Sequence, residues 1–393
     1  MLNVISLEDA KKIVSKFSLD TSEELVNLSD ACDRICSQDV LSSENLPPFD
    51  RSTMDGFALC ASDTFGAGSA IPAMLTVKGE VAMGKPSLLT TNGGECVKIP
   101  TGGMLPQGAN AVIPIEYTEA GIDGFCYVFK SVAPFENVTK TGDDIKKGSV
   151  ILSAGEIITP AAIASIAAAG INQITVKRKI QIGIISTGDE LVPHTSEIQN
   201  GEIRDINSVM LSALLRKNGA DTKAYGIIPD DYAALESAVK IATSENDTVI
   251  ISGGSSAGEK DNTHPVIAAL GEVFCHGIAI KPGKPTIIGQ IEGKPVFGLP
   301  GHPAAAYFTA NELIVPLISK KTVQRKNARL ISNISSNNGR TEFVCVKFTE
   351  NGVKPVLAKS GIISALAQSD GYIIIDRNTE GLAAGTKVEV FEF

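Results

Sequence analysis

Between Ile180 and Ile318 short apolar runs alternate with helical stretches, and this alternation constrains the fold more than any other feature of the chain. Ile180–Ile185 is a largely apolar run of strand length, followed by a Gly-bearing loop and a helix over Val209–Lys217. Ala220–Ile227 reads as a second strand, Tyr232–Ala242 as a helix, and Thr248–Ile251 as a third strand. Pro265–Leu270 is expected to be helical, Val296–Leu299 a fourth strand, and Ala304–Ile318 a closing helix. Runs this short and this apolar, bounded by turns, belong to strands buried on both faces. Joined by helical crossovers, they predict a mostly parallel, doubly wound sheet. In such sheets ligands bind beyond the carboxyl ends of the strands.

The flanking regions read differently. Ser6 and Asp9 have capping-box spacing, and Leu7, Ala10, Ile13, Val14 and Phe17 recur at helical period. From Leu41 to Ser149, short runs (Met74–Val77, Glu95–Ile99, Ala111–Ile115, Phe125–Phe129) sit between Gly- and Pro-bearing turns, the pattern of a small twisted β domain. Thr159-Pro160 is an N-cap followed by Pro at the first helical position, and Gly170 ends the helix Ala161–Ala169. Strands return in Phe343–Phe348, Gly371–Ile375 and Lys387–Phe391. The expected fold class is multidomain α/β plus β. Residues 1–40 and 145–177 form a helical/linker domain, 41–144 an inserted β-rich domain, 178–321 the central α/β domain, and 322–393 a small C-terminal β domain.

Charge and cysteine usage narrow the function. The 44 acids and 35 Lys+Arg give −9 with no basic block, which argues against nucleic acid as a partner. Seven Cys, an odd number with no CxxC pair, fit reduced thiols better than disulfides or a zinc ribbon. Glu8 and Asp9 stand where a signal peptide would be basic, and no apolar run approaches the ~20 residues of a membrane span. A cytoplasmic protein without membrane attachment is expected.

Three loops that follow predicted strands carry the chemistry. They are Ser186-Thr187-Gly188-Asp189-Glu190, the segment from Ser252-Gly253-Gly254-Ser255 to Asp261, and Pro300-Gly301-His302-Pro303. Glycine lets backbone N–H groups close on a phosphate, hydroxyls add donors, and adjacent acids make sense if a divalent cation bridges them to it. Any one such loop is equally well explained as a turn, but three at one sheet edge point to a site. Lys281-Pro282-Gly283-Lys284-Pro285 places two ammonium groups on a stiffened stretch, though a solvated turn would look the same. It is not a Walker A loop, and no GxGxxG, G-x-S-x-G or H-E-x-x-H motif is present. The turn Pro47–Phe57, Thr101-Gly102-Gly103 and Thr141–Asp144 concentrate acids and hydroxyls that an Asx-type turn alone would account for.

Taken in order, these segments resemble the molybdopterin molybdenumtransferase family, the MoeA proteins and gephyrin E-domain-like relatives. The resemblance rests on Phe49–Ala58 (FDRSTMDGFA), Thr101–Pro106, Gly142–Gly148 (GDDIKKG), Ser186–Leu191 (STGDEL) and Ile203–Leu211 (IRDINSVML). It continues through Ser252–Asp261 (SGGSSAGEKD), Ala279–Pro285 (AIKPGKP) and Gly298–Pro303 (GLPGHP), with weaker echoes at Gly339–Phe343 and Lys359–Gly361. It implies a homodimer whose molybdopterin-binding-like α/β domain takes adenylylated molybdopterin and molybdate, hydrolyses the phosphoanhydride with Mg²⁺ or another divalent cation, and releases AMP. By motif position, Asp55, Glu190, Asp230 and Asp261 would be catalytic, with Glu190 and Asp261 on the metal. Thr101, Asp144, Ser252, Gly253, Gly254, Ser255, Lys281, Lys284, Pro300, Pro303, Arg340 and Ser360 would bind substrate. Asp55, Thr101 and Asp144 would reach across the dimer, and transient contact with other cofactor-biosynthesis proteins is implied.

The chain departs from the family pattern at Gly277, where many members carry a cation, at His302 and at Cys345. Near Asn137–Lys140 the basic residues are reduced to Lys140. Two other readings stand beside the transferase. A molybdopterin adenylyltransferase would need only the α/β core, and a non-catalytic pterin-binding or scaffold paralogue would have no need for metal-holding acids.

Overall fold

The computed structural model describes residues 4–19, 21–253, 262–319, 324–356 and 363–393. The chain divides into two compact units: Met1–Ser22 with Arg178–Phe393, and Glu23–Lys177.

The unit Glu23–Lys177 is built mainly of strands. Its largest sheet has the order Ala111–Pro114, Gly56–Leu59, Glu95–Ile99, Ala73–Glu80, Phe125–Val128, Thr118–Ala120. Leu59, Leu75, Cys96, Ile113 and Val128 fill its core. A second core joins Leu28, Cys36 and Val40 to Leu152, Ile158, Ile166 and Val176 from the far side of the sequence. Ile166 lies on the helix Pro160–Ala168, whose N-cap Thr159 accepts a hydrogen bond from Ala162 N at 3.2 Å. Proline at the first helical position costs nothing there, because its missing N–H has no intrahelical partner.

The other unit contains the alternating region. Its strands are β1 (Gln181–Thr187), β2 (Asp221–Ile228), β3 (Thr248–Ser252), β4 (Glu272–His276), β5 (Ile287–Ile291) and β6 (Lys294–Leu299). Its helices are α1 (Leu7–Val14), α2 (Asn207–Lys217), α3 (Tyr232–Glu245), α4 (Thr263–Leu270) and α5 (Pro303–Thr309). The sheet order is β2-β1-β3-β6-β5-β4, with β2, β1, β3 and β6 parallel and β5 antiparallel to both β6 and β4. Strand period 2 divides the core. Ile182, Ile184, Ile250, Phe297 and Leu299 pack on one face with Leu7, Leu211 and Leu215. Ile185, Val249, Ile251 and Val296 pack on the other with Leu235, Val239 and Val266. Each of these side chains contributes about 1.5–3 kcal/mol by leaving water.

Two features differ from the sequence reading. The β4 and β5 segments form strands that the reading left unassigned, and β5 meets β6 through a tight hairpin at Glu292-Gly293, both at positive φ (51° and 78°). The helix α1 has Ser6 as its N-cap, as the spacing predicts, but its buried residues Leu7, Ala10 and Val14 join the α/β core rather than the core shared by residues 28–40 and 152–176.

A second sheet in this unit joins Ile280–Lys281 to strands of the C-terminal region, in the order Ile280–Lys281, Thr341–Thr349, Gly371–Ile375, Lys387–Glu392, Arg325–Arg329. A rare buried carboxylate lies where it meets the helix that continues α5. Glu312, on a π-type turn at Ala310–Ile314, is 8% exposed, accepts from Tyr372 Oη at 2.8 Å and pairs with Lys11. Among the described residues no helix is long and apolar enough to cross a membrane.

Candidate functional site

The parallel strands β1, β2, β3 and β6 all end at one edge, and the order of connection reverses between β1 and β3, where doubly wound sheets bind ligands. The three predicted loops start there, joined by the loop after β2 that carries Asp230. Thr187, the last residue of β1 and 3% exposed, donates its hydroxyl to Asp230 Oδ1 at 2.9 Å. Asp230 N in turn donates to Asp189 Oδ1 at 3.1 Å, so the loops after β1 and β2 are tied together. Glu190 is exposed beside them. Gly188 makes room for it: a Cβ at that position would lie 2.9 Å from Glu190 Oε2.

The loop after β3 begins with Ser252, which is 2% exposed, and Gly253 at φ 107°. A Cβ on Gly253 would stand 2.1 Å from Thr187 O, so only glycine lets this backbone pass so close to β1. Gly253 N donates to Leu299 O at 3.2 Å, joining this loop to the end of β6. Pro300 and Pro303 are buried there, and His302 between them is exposed. Gly254, Ser255 and Asp261 lie outside the described residues, as does Ser360.

Two residues that site prediction by motif omitted organise this edge. Asn207 Nδ2 donates to Ser252 Oγ and to Gly301 O, both at 2.9 Å, bridging the ends of β3 and β6. Asp205, 7% exposed, accepts from Ser186 Oγ at 2.7 Å and from Ser208 N at 3.1 Å. The signal was available: an acid three residues before Ser208 at a helix start is a capping pattern.

The cationic residues sit on the second sheet's edge. Lys281 is exposed on the strand Ile280–Lys281, with Nζ 2.8 Å from Glu342 Oε1. Lys284 is half-buried, and Arg340 is exposed immediately before the strand Thr341–Thr349. Gly283, at φ 122°, would place a Cβ 2.7 Å from Ile280 Cδ1. The departures from the family pattern are placed as well. His276, beside Gly277, stacks on His264 at 4.7 Å between ring centroids, and burial lowers its pKa, so it is no substitute cation at neutral pH. Cys345 pairs opposite Tyr372 in the sheet, and burial pushes its thiol up to about 11.

In the unit Glu23–Lys177 the predicted acids and threonines meet in pairs. Asp55 Oδ1 accepts from Thr101 N at 2.7 Å and from Thr101 Oγ1 at 2.9 Å. These bonds, the backbone one foremost, hold its carboxyl below the usual range. Asp50 Oδ1 grips Thr141 in the same way, at 2.8 Å from N and 2.7 Å from Oγ1. Asp144 is exposed three residues on, its N–H donating to Leu46 O at 3.0 Å.

Thr187, Asp189, Glu190 and Asp230 offer hard oxygen donors, the set a Mg²⁺-like cation takes. Among the described residues no three His, Cys, Asp or Glu side chains already converge in metal-holding geometry.

Comparison with known proteins places the chain in a family. Residues 5–170 match the MoeA N-terminal region (domain I and II), 183–320 a molybdopterin binding domain, and 327–393 the MoeA C-terminal region (domain IV). A molybdopterin biosynthesis protein of Methanocaldococcus jannaschii is 40% identical, covering 99% of this chain and 98% of its own. A molybdopterin molybdenumtransferase of Haemophilus influenzae is 34% identical over 99% of both chains. The crystal structure of a Pyrococcus molybdopterin biosynthesis MoeA protein superimposes with TM-score 0.88 at 38% identity, over 99% of both chains.

Proposed function

The chain belongs to the MoeA family, and from that premise we propose that it is a molybdopterin molybdenumtransferase, an enzyme that inserts molybdenum into molybdopterin to form molybdenum cofactor. The observation that carries this reading is the tied edge of β1, β2, β3 and β6, where Thr187, Asp230, Ser252, Asn207 and Gly253 hold four loops in one arrangement. Gly253, its own N–H held by Leu299 O, brings the backbone past β1, and the Ser252 hydroxyl together with N–H and hydroxyl donors of Gly254 and Ser255 cradles the phosphates of adenylylated molybdopterin. Pro300 and Pro303 shape the adjoining wall.

Lys281, Lys284 and Arg340, with Ser360, attract molybdate, a dianion that needs cationic and N–H donors. Glu190 and Asp261 would hold a divalent cation, Mg²⁺, which when bound neutralises charge at the phosphoanhydride. Asp230, fixed by Thr187, keeps its carboxylate beside Glu190's loop. Water cleaves the phosphoanhydride to AMP and the pterin phosphate, and molybdate forms two bonds to the dithiolene sulfurs as one of its oxides leaves as water with the two thiol protons. The protein works as a cytoplasmic homodimer, in which the Asp55–Thr101 pair and Asp144 of each subunit serve substrate bound by its partner.

The test is Asp261→Ala in an assay that separates binding from chemistry. AMP release is expected to be lost while adenylylated molybdopterin still binds. Unchanged turnover would remove the metal-holding role of the acids. Mixing Asp55→Ala with Asp261→Ala protein tests the dimer: restored AMP release in the mixture is expected, and none would contradict sites shared between subunits.

A further inference from the structure

Lys281 is not presented to an incoming anion as a bare charge. Ile280 and Lys281 form an edge strand in parallel register with Thr341 and Glu342, and Thr341 N donates to Ala279 O at 2.9 Å. That register sets the Glu342 carboxylate against the ammonium, Oε1 to Nζ at 2.8 Å. The other carboxylate oxygen, Oε2, accepts from Ser336 Oγ at 2.7 Å. Ser336 is 8% exposed, and its own N–H is held by Glu380 O at 2.8 Å. The Glu342 side chain is 13% exposed and that of Lys281 46%, so the carboxylate is the fixed member of the pair and the ammonium the one open to solvent.

We propose that Glu342 is a built-in counter-ion that sets how tightly Lys281 takes an oxyanion. This rests on the assignment of Lys281 to oxyanion capture. With Glu342 in place, an anion that touches only Lys281 meets a pair whose charges cancel, and it gains little. An oxyanion holds only if it also engages the other donors on this edge, Lys284 and Arg340. Glu342 therefore ties occupancy to the complete donor set, and removing its charge raises affinity for tetrahedral dianions. A gain of binding is also a readout that structural damage does not produce.

The test uses the full-chain protein and sodium molybdate alone, titrated by calorimetry at low ionic strength. Glu342→Gln keeps the shape, with its amide oxygen accepting from Lys281 and its amide NH2 donating to Ser336 Oγ, but removes the charge. Molybdate affinity is expected to rise about twofold to fivefold, the scale of a partly exposed ion pair. Sulfate affinity should rise with it. In a Lys281→Met background the gain should vanish, since the two residues act through one contact. Unchanged or weaker binding by Glu342→Gln, alongside weaker binding by Lys281→Met, would overturn the role of Glu342 and leave Lys281 standing. If Lys281→Met leaves molybdate affinity unchanged, the assignment of Lys281 fails, and the proposal with it. Should Glu342→Gln fail to fold, Ser336→Ala leaves the charge in place and makes Lys281 its main partner, so molybdate affinity is expected to fall. A gain there would overturn the proposal.

Discussion

Thr187 and Asp230 meet at 2.9 Å, hydroxyl to carboxylate, where the two adjacent parallel strands β1 and β2 end. One buried hydroxyl thus fixes an acid that loop geometry alone would leave to rotate. Thr187→Val keeps the shape and removes the donor. It is expected to cost about 1 kcal/mol in urea unfolding, the usual net worth of one hydrogen bond. Turnover should fall further than substrate affinity, because Asp230 is left unaligned. A variant with unchanged turnover would show that Asp230 needs no such anchor.

Gly253→Ala tests the cradle. The added Cβ would fall 2.1 Å from Thr187 O, at a φ of 107° that side chains rarely adopt. Backbone must move to relieve that contact, so a loss of about 2 kcal/mol or more in stability is expected, together with weaker nucleotide binding. Thermal unfolding and AMP binding report the two effects separately. Wild-type values for both would mean the loop approaches β1 less closely than described.

The Asp55–Thr101 pair makes a pH-dependent prediction. Hydrogen bonds from Thr101 depress the Asp55 pKa, so their stabilisation is present above the unfolded carboxylate range and is lost as pH falls through the folded value. Thr101→Val removes the hydroxyl and keeps the backbone donor, so the Asp55 pKa should rise part of the way back. The stability deficit of the variant should be present at pH 7 and shrink in the acid range. A carboxyl NMR titration that finds the Asp55 pKa unmoved would contradict this.

Tyr372→Phe probes the buried carboxylate. Tyr372 Oη donates to Glu312 Oε1 at 2.8 Å and accepts from Asn311 Nδ2 at 2.8 Å. Burial, with the Glu312 charge next, raises the tyrosine's pKa, so it stays a neutral donor at any working pH. Removing the hydroxyl strands two polar groups, and a loss of about 1–3 kcal/mol is expected in denaturant unfolding. A loss near zero would mean that Lys11 alone satisfies Glu312.

Much of the α/β core was legible because its signals are local. Ile182, Ile184, Ile250 and Phe297 sit in short apolar runs, and the caps Ser6 and Thr159 stand directly before their helices. The antiparallel β4 and β5 were not read, although Glu292-Gly293 between two apolar runs is a hairpin signal of the kind that requires positive φ at both positions. Other features depend on non-local pairing that no window reveals. Nothing local says that Leu7 packs against the core of Ile182, or that Lys281 aligns with Glu342, 61 positions on. Asn207 falls between: its motif was visible, but its task depends on Ser252 and Gly301 meeting in space.

The most direct measurement is AMP release from the purified protein given adenylylated molybdopterin and Mg²⁺, with and without molybdate. The account predicts AMP release that depends on molybdate and matches, mole for mole, the molybdenum-loaded pterin formed. Binding of the adenylylated pterin with no AMP released under either condition would contradict it.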